Sequence, residues 1–426
     1  MMPSERPQPV RARYFTTGTK ILAAVAGLGA LIYVYRLIAG LGAATNLDDQ
    51  YPWGIWISLD VASGVALAAG GFTSAALAEI FHKKKYHAVV RPALLTAMLG
   101  YTFVVIGLLA DLGRYYNVWH PLLPGMWQGN SVLFEVGMCV MIYLTVLYIE
   151  FLPVVVERFA GHVNLPGSLS LLNQSIAWLL SMARRTLGRV LSLFIIAGVV
   201  LSCLHQSSLG TLMVIAPTKM HLLWWTPILP LLFLLSAVAV GFPMVILESI
   251  LASRSFKLRL EKQVLASLAR FVPILLGVYL TAKVIDLTIR GLWPLAFDGS
   301  LRSTLFLTEL TVGVVVPMIL LAQARVRRSL AGLFVSAALV VLGVAFNRIN
   351  VFLVAYQPLY PQKTYFPSPM EIMVTLGLVS ALVLIYRWFV MTFPVITAPC
   401  EPQAEGRDAA LIARHRAGVV PMGRVP

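Results

Sequence analysis

Ten apolar stretches, each about 17 to 30 residues long, fill nearly the whole of this 426-residue chain, and stretches of that length are what a helix needs to cross a bilayer core about 30 Å thick. The spans run approximately Ile21–Gly42, Ile55–Phe81, Pro92–Gly113, Ser131–Val156, Val190–His205, Leu222–Leu251, Phe271–Ile289, Thr304–Ala324, Leu330–Phe346 and Ile372–Phe393. Most of the 33 Lys and Arg residues fall in alternate gaps: before the first span, around Lys83–Arg91, Arg158–Arg189, Arg254–Arg270 and Arg325–Arg328, and from Arg387 onward. Short cytoplasmic loops retain positive charge, so this alternation predicts an all-α polytopic membrane protein with both termini cytoplasmic.

Composition agrees with that class. With 59% apolar and 12% charged residues and a mean hydropathy of +0.82, a soluble fold would lack polar surface. The net charge of +15 then faces anionic lipid, and no nucleic-acid partner is implied. The first 20 residues carry Pro3, Pro7, Pro9 and several Arg, and the first span has no small-residue cleavage site, so it is expected to stay in the protein.

Cys139, Cys203 and Cys400 are not spaced as metal or cluster ligands, so no iron-sulfur cluster is expected in this chain. His82, His87, His162 and His415 fall in cytoplasmic segments, and His120 and His221 at the outer surface. Only His205 sits at a helix end. A membrane haem needs paired axial histidines on facing helices, so none is expected either.

The chain divides into a cytoplasmic segment 1–20, a membrane domain 21–393 and a flexible cytoplasmic tail 394–426. Within the membrane domain, bundles of helices 2–5 and 6–9 are flanked by the first and last helices. The linker, about 158–189, contains an amphipathic Leu169–Leu187 stretch suited to an interfacial helix. Outer loops Arg114–Asn130 and Asn347–Pro369 hold Trp119, Trp127, Tyr356, Tyr360, Tyr365 and Phe366, aromatics that suit a bilayer edge or a docked partner.

Ionisable groups inside the spans carry the functional expectation, since each costs about 2.5 to 3.5 kcal/mol to insert unless it faces protein or water. Glu135, Cys139, Val146 and Glu150 share one face of the fourth span, with an acid near each membrane surface. Lys283, Asp286 and Arg290 stand at i, i+3 and i+7, so the carboxylate can be paired on both sides, functionally or as a structural ion pair. Glu248 follows Gly241-Phe242-Pro243, where a broken backbone admits water, and is assigned proton uptake. Glu79, beside Lys83–Lys85, reads most simply as a snorkelling interfacial charge. In the second span, Gly64, Ala68, Gly71 and Ala75 form a small-residue stripe with Asp60 one turn outward, a setting for close packing around an acid. Tyr101, midway along the third span, either packs or relays a proton.

The run Asn46-Leu47-Asp48-Asp49-Gln50-Tyr51-Pro52-Trp53-Gly54-Ile55-Trp56-Ile57, with Asp60 and Ala68-Ala69-Gly70-Gly71-Phe72-Thr73 after it, resembles the NrfD-like superfamily of polysulfide-reductase membrane subunits. Within it, the likeness is to the membrane-integral subunit of hydrogenase-2-type nickel-iron hydrogenases. Lys85-Tyr86, Arg91-Pro92, Gly100-Tyr101, Asp111-Leu112-Gly113-Arg114 and Trp127 with Ser131-Val132-Leu133-Phe134-Glu135 carry the same resemblance. It is strong over about residues 45 to 160 and rests mainly on helix count from there to 393.

The resemblance implies a quinone-reactive subunit without haem, in a bacterial inner membrane. Its electrons would come from an extracytoplasmic ferredoxin-like iron-sulfur subunit fed by hydrogenase small and large subunits. It also implies coupling of quinone chemistry to proton movement, with Asp60, Tyr101 and Glu135 at the matching positions. The expected site is therefore a menaquinone or ubiquinone head group held by Glu135, Asp60 and Tyr101. Asp111, its electrostatic partner Arg114, and His205 would stand at the pocket mouth, and Glu248, Glu150, Lys283 and Asp286 would form the proton path. An anchor for another molybdopterin or iron-sulfur oxidoreductase, and a secondary transporter, are the alternatives.

Overall fold

The computed structural model describes residues 7–80, 86–159, 167–258, 260–361 and 363–396, and ten of its helices are long and apolar enough to cross a membrane. They are α1 (Thr17–Ala39), α2 (Trp56–Ala78), α3 (His87–Asp111), α4 (Val132–Phe159), α5 (Asn173–Val214, apolar from Val190), α6 (Leu229–Phe256), α7 (Lys262–Ile289), α8 (Leu301–Ala322), α9 (Leu330–Val354) and α10 (Pro369–Thr392). Among the described residues the β-structure is one isolated bridge, Met220 to Tyr356. The side chains of Glu79 and Arg189, and Lys83–Lys85, His82, His162, Cys400 and the tail past 396, lie outside the described residues.

Helices α2 and α6 are the most buried of the ten and form the centre. The small-residue stripe of α2 works as its spacing predicts. A Cβ on Gly71 would sit 2.5 Å from Ala97 Cβ of α3, and one on Gly64 2.9 Å from Val104. Across α6, a Cβ on Gly241 would meet Thr73 Oγ1 at 2.4 Å. Missing side chains thus let three backbones approach, which is how membrane helices associate when lipid offers no hydrophobic drive.

The first and last helices cross just as closely, since a Cβ on Gly29 would lie 2.7 Å from Gly377 Cα. The N-terminal segment runs along the end of α10, with Gln8 N donating to Ile396 O and Val10 N to Val390 O. Both ends therefore lie on one face of the bundle, called here the termini face, and the other is the far face.

The 158–189 stretch departs from expectation. From Asn173 it is not a separate helix lying on the surface but the first part of α5, continuous for 42 residues, about 63 Å at 1.5 Å per residue. No proline or αL residue breaks it, so the helix runs on past the bilayer and carries exposed Trp178, Leu179 and Met182 with it. Its other end also passes His205 and reaches Val214. Gln206 and Ser208 interrupt the apolar run yet are buried against other helices.

The Asn46–Ile57 run is a latch between α2 and α10. Ser368 caps α10, and Glu371 closes a capping box with it. The Glu371 carboxylate also accepts from Asn46 N at 3.0 Å and from the Tyr365 hydroxyl at 2.5 Å. Tyr365 in turn accepts from Ile55 N and stacks on Tyr51. Gly54 is required here because a Cβ would fall 2.3 Å from the Tyr365 hydroxyl. Burial and the neighbouring Glu371 hold this phenol well above its ordinary pKa.

Candidate functional site

Asp60 sits in a π-helical turn, Trp56–Ser63, at the far-face half of α2. Such turns widen the backbone and re-aim side chains, and they recur at functional sites. The Asp60 carboxylate is partly exposed and accepts from Thr375 Oγ1 of α10 at 2.6 Å. It fits because α3 has glycine opposite, where a Cβ on Gly107 would lie 2.9 Å from Asp60 Cβ.

Tyr101 is fully buried, and its hydroxyl lies 3.0 Å from His205 Nδ1. Tyr143 of α4 packs edge-on against the Tyr101 ring at 4.6 Å. His205 Nε2 and Gln206 Oε1 are buried with no protein partner, while Gln206 Nε2 donates to Val65 O of α2 and Ser202 faces the Tyr101 and Tyr143 hydroxyls. Buried polar groups are paired in the great majority of cases, so these two unpaired atoms on adjacent residues single out this part of α5 as a candidate site. His205 thus belongs to the interior of the site rather than to its mouth, because α5 continues nine residues beyond it.

Glu135 does not join the buried groups. It lies in the first turn of α4 and is exposed, where the helix dipole favours a carboxylate. Its charge acts on Cys139, one turn deeper, which borders Tyr101. Glu135 therefore stands at the rim of the Tyr101–His205 cluster. Arg114 is likewise exposed, and it is not the partner of Asp111. That role falls to Arg36 of α1, which sequence reasoning passed over: Arg36 is 1% exposed, its charge acts on Asp111, and its Nη2 donates to Leu112 O at 2.5 Å.

On the termini-face side, Glu248 accepts from the Tyr386 hydroxyl at 2.7 Å, and its Oε2 is buried without a hydrogen bond. Thr96 of α3 faces the same carboxyl. A cavity of about 70 Å³ reaches Glu248, lined also by Ser249, Ser253, Tyr386 and the exposed Glu261. Glu150 lies against α5, where Gly198 leaves room for it, since a Cβ there would be 2.3 Å from Glu150 Oε1.

The Lys283–Asp286–Arg290 ladder resolves differently from its spacing. Asp286 is held by Arg290 at 2.5 Å and by Thr226 Oγ1 at 2.6 Å. Lys283 instead lies 5.2 Å over the Phe306 ring and near Glu309. Glu309 accepts from Trp224, Asn347 and Asn350 at 2.7 to 2.9 Å. Asp286 is paired on one side only, and a satisfied network of this kind fixes helix positions in α6–α9.

Ten membrane helices surrounding buried acids, phenols and an imidazole define an integral membrane protein. The chain belongs to the family described as polysulphide reductase, NrfD, whose pattern matches residues 43–359. It is 37% identical to a protein of Nitratidesulfovibrio vulgaris over 89% of this chain and 95% of that one. It is 32% identical to the probable Ni/Fe-hydrogenase 2 b-type cytochrome subunit of Escherichia coli, over 92% and 96%. The menaquinone reductase integral membrane subunit of N. vulgaris is 27% identical over 79% and 82%.

One of those names speaks of a b-type cytochrome, and the residues here do not fit a haem with two axial histidines. His205 is the one described histidine buried inside a span, its Nδ1 is engaged by Tyr101, and the other described histidines, His87, His120 and His221, are not among the buried residues.

Proposed function

We propose that this chain is the quinone-reactive membrane subunit of a respiratory complex of hydrogenase type, oriented with its termini in the cytoplasm of a bacterial inner membrane. The observation that carries the reading is the buried Tyr101–His205 pair with its unpartnered Nε2; Asp60 stands outward of it, opposite Gly107, about 9 Å further along α3 than Tyr101, and Glu135 is exposed at the rim. A quinone head group presents two carbonyl oxygens that accept hydrogen bonds and then take up protons, which is what such groups serve. The names of the E. coli and N. vulgaris relatives support the choice of hydrogenase and menaquinone chemistry.

In this mechanism an extracytoplasmic ferredoxin-like iron-sulfur subunit, fed by hydrogenase small and large subunits, delivers two electrons. It docks over the exposed aromatic loop containing Trp119, Leu122 and Trp127, a composition suited to an interface core. The quinone takes two electrons and two protons to become quinol. His205, whose Nδ1 accepts from the Tyr101 hydroxyl, donates from Nε2 to one carbonyl, and Asp60, oriented by Thr375, supplies a proton toward the other. Glu135 replaces Asp111 and Arg114 at the mouth.

The protons enter from the cytoplasm. The Glu261-lined cavity leads to Glu248, and Thr96 continues along α3 toward Tyr101, five residues or about 7.5 Å further out. Glu150, whose charge acts on Tyr143, offers a second branch. Lys283 and Asp286 hold the α6–α9 bundle rather than the path. Uptake from one side and electron delivery from the other moves charge across the bilayer.

The test is quinol formation by the assembled complex carrying Asp60→Asn or Tyr101→Phe. Rates down at least tenfold with partner subunits still co-purifying support the reading. Unchanged rates leave a structural anchor.

A further inference from the structure

We propose that Arg36 is an electrostatic barrier that stops the proton on Asp60 from exchanging with the extracytoplasmic side. The inference rests on the quinone reading above and adds what sets the sidedness of proton uptake.

Three polar layers follow one another along α3. Tyr101 is the deepest, Gly107 faces Asp60, and Asp111 comes last, about 9 Å and then about 6 Å further outward at 1.5 Å per residue. Positions 107 and 111 share a face of the helix, so the next ionisable group outward of Asp60 is Asp111. On α10, Glu371 and Thr375 are likewise one turn apart and face the same seam, with Thr375 on Asp60 and the Glu371 charge acting on Asp111.

A row of three carboxylates leading to the surface would conduct protons, and two features interrupt it. First, Arg36 is set beside Asp111 with its Nε and Nη1 buried and unpartnered, so its charge acts on Asp111 without a hydrogen-bonded ion pair that would neutralise it. Its remaining fixed contacts are Leu112 O and the ring of Tyr115, 5.5 Å from Cζ, with Tyr33 nearby. A buried guanidinium of this kind excludes protons and cations from membrane pores. Second, Glu371 is fully buried and its oxygens are taken by Asn46 N, Ser368 N and the Tyr365 hydroxyl. It latches the α2–α10 junction and has no free oxygen to receive a proton. On the cytoplasmic side Arg387 is buried too, but both of its Nη groups donate, to Ser255 Oγ and Arg13 O, and the carboxylate there, Glu248, keeps a free Oε2 with a cavity beside it.

The experiment uses the complex with its native partners in liposomes, cytoplasmic face inward. Quinol formation, a voltage-sensitive dye and an internal pH dye are followed together. Arg36→Gln and Arg36→Met are the neutral variants, and Arg36→Lys keeps the charge. The expected result is quinol formation close to wild type, with the potential per electron lowered at least about twofold in both neutral variants and retained in Arg36→Lys. An unchanged potential in whichever neutral variant assembles overturns the barrier and leaves the quinone site standing. Quinol formed by the wild type without any potential overturns the barrier too, since protons would already pass Arg36. A wild-type complex that reduces no quinone overturns the underlying reading and the barrier with it.

Discussion

Thr375 Oγ1 lies 2.6 Å from an Asp60 carboxylate oxygen, tying the last membrane helix to the π-helical turn of the second. A hydrogen bond to a carboxylate contributes about 1 to 3 kcal/mol, and here it fixes the aim of a group proposed to donate a proton. Thr375→Val keeps shape and burial while removing the hydroxyl. It is expected to slow quinol formation roughly tenfold with assembly unchanged, whereas Thr375→Ser retains the rate; steady-state quinol assays on both variants check this.

The Glu248 and Glu150 branches are separable. Glu248 has the cavity, the Tyr386 hydrogen bond and the free oxygen, while Glu150 packs against Gly198. Glu248→Gln is expected to cut proton uptake from the cytoplasmic side by roughly tenfold or more, in the usual range for losing a proton-transfer group. Glu150→Gln is expected to have the smaller effect. Internal pH dyes in liposomes give both rates, and the reverse order of effects would move the path to α4.

Gly313 and Gly343 bring α8 and α9 into backbone contact, since a Cβ on Gly343 would lie 2.4 Å from Gly313 Cα. Gly343→Ala is expected to destabilise by about 1 to 3 kcal/mol, the usual cost of overpacking. Gly137→Ala, where nothing lies within 4 Å, is expected to be neutral or slightly stabilising through helix propensity. Thermal unfolding in detergent distinguishes the two.

His221 joins two far-face loops, its backbone N–H donating to Ala355 O at 2.8 Å. Burial and the charge of Arg302 lower its pKa below the ordinary 6.5. The folded chain therefore binds fewer protons there than the unfolded one, so stability is present above about pH 6.5 and is lost as pH falls through the lowered value. His221→Gln is expected to flatten the acid limb of a melting-temperature profile between pH 7 and 5, and an unaltered limb would assign the acid sensitivity elsewhere.

Much of the fold was legible because hydrocarbon imposes length and composition on anything that crosses it. The fifth helix shows where that legibility stops. Gln206, Ser207 and Ser208 end its apolar run, yet the helix continues, since polar side chains are tolerated once they face other helices. Within the site, Asp60 and Tyr101 stood out by type and depth, and the α2 stripe by spacing. Tyr143, Thr375, Tyr386, Arg36 and Glu371 did not, because their meaning comes from partners tens to hundreds of residues away. An arginine inside the first span was the one available signal for the Arg36–Asp111 pair, and the adjacent Arg114 masked it.

By itself the sequence determined that the chain crosses a membrane ten times, with acids and a tyrosine embedded in it, because burial of apolar length and the cost of inserted charge act locally along the chain. The tertiary structure alone decided which of those charges are spent on each other and which remain free. Asp286 is consumed by Arg290 and Glu309 by three donors, while His205 and Glu248 keep an unpaired atom and Glu135 stays exposed. Pairing depends on which helices touch, and helix contacts between segments far apart in sequence are set by shape, through Gly29 on Gly377, Gly71 on Ala97 and Gly107 on Asp60.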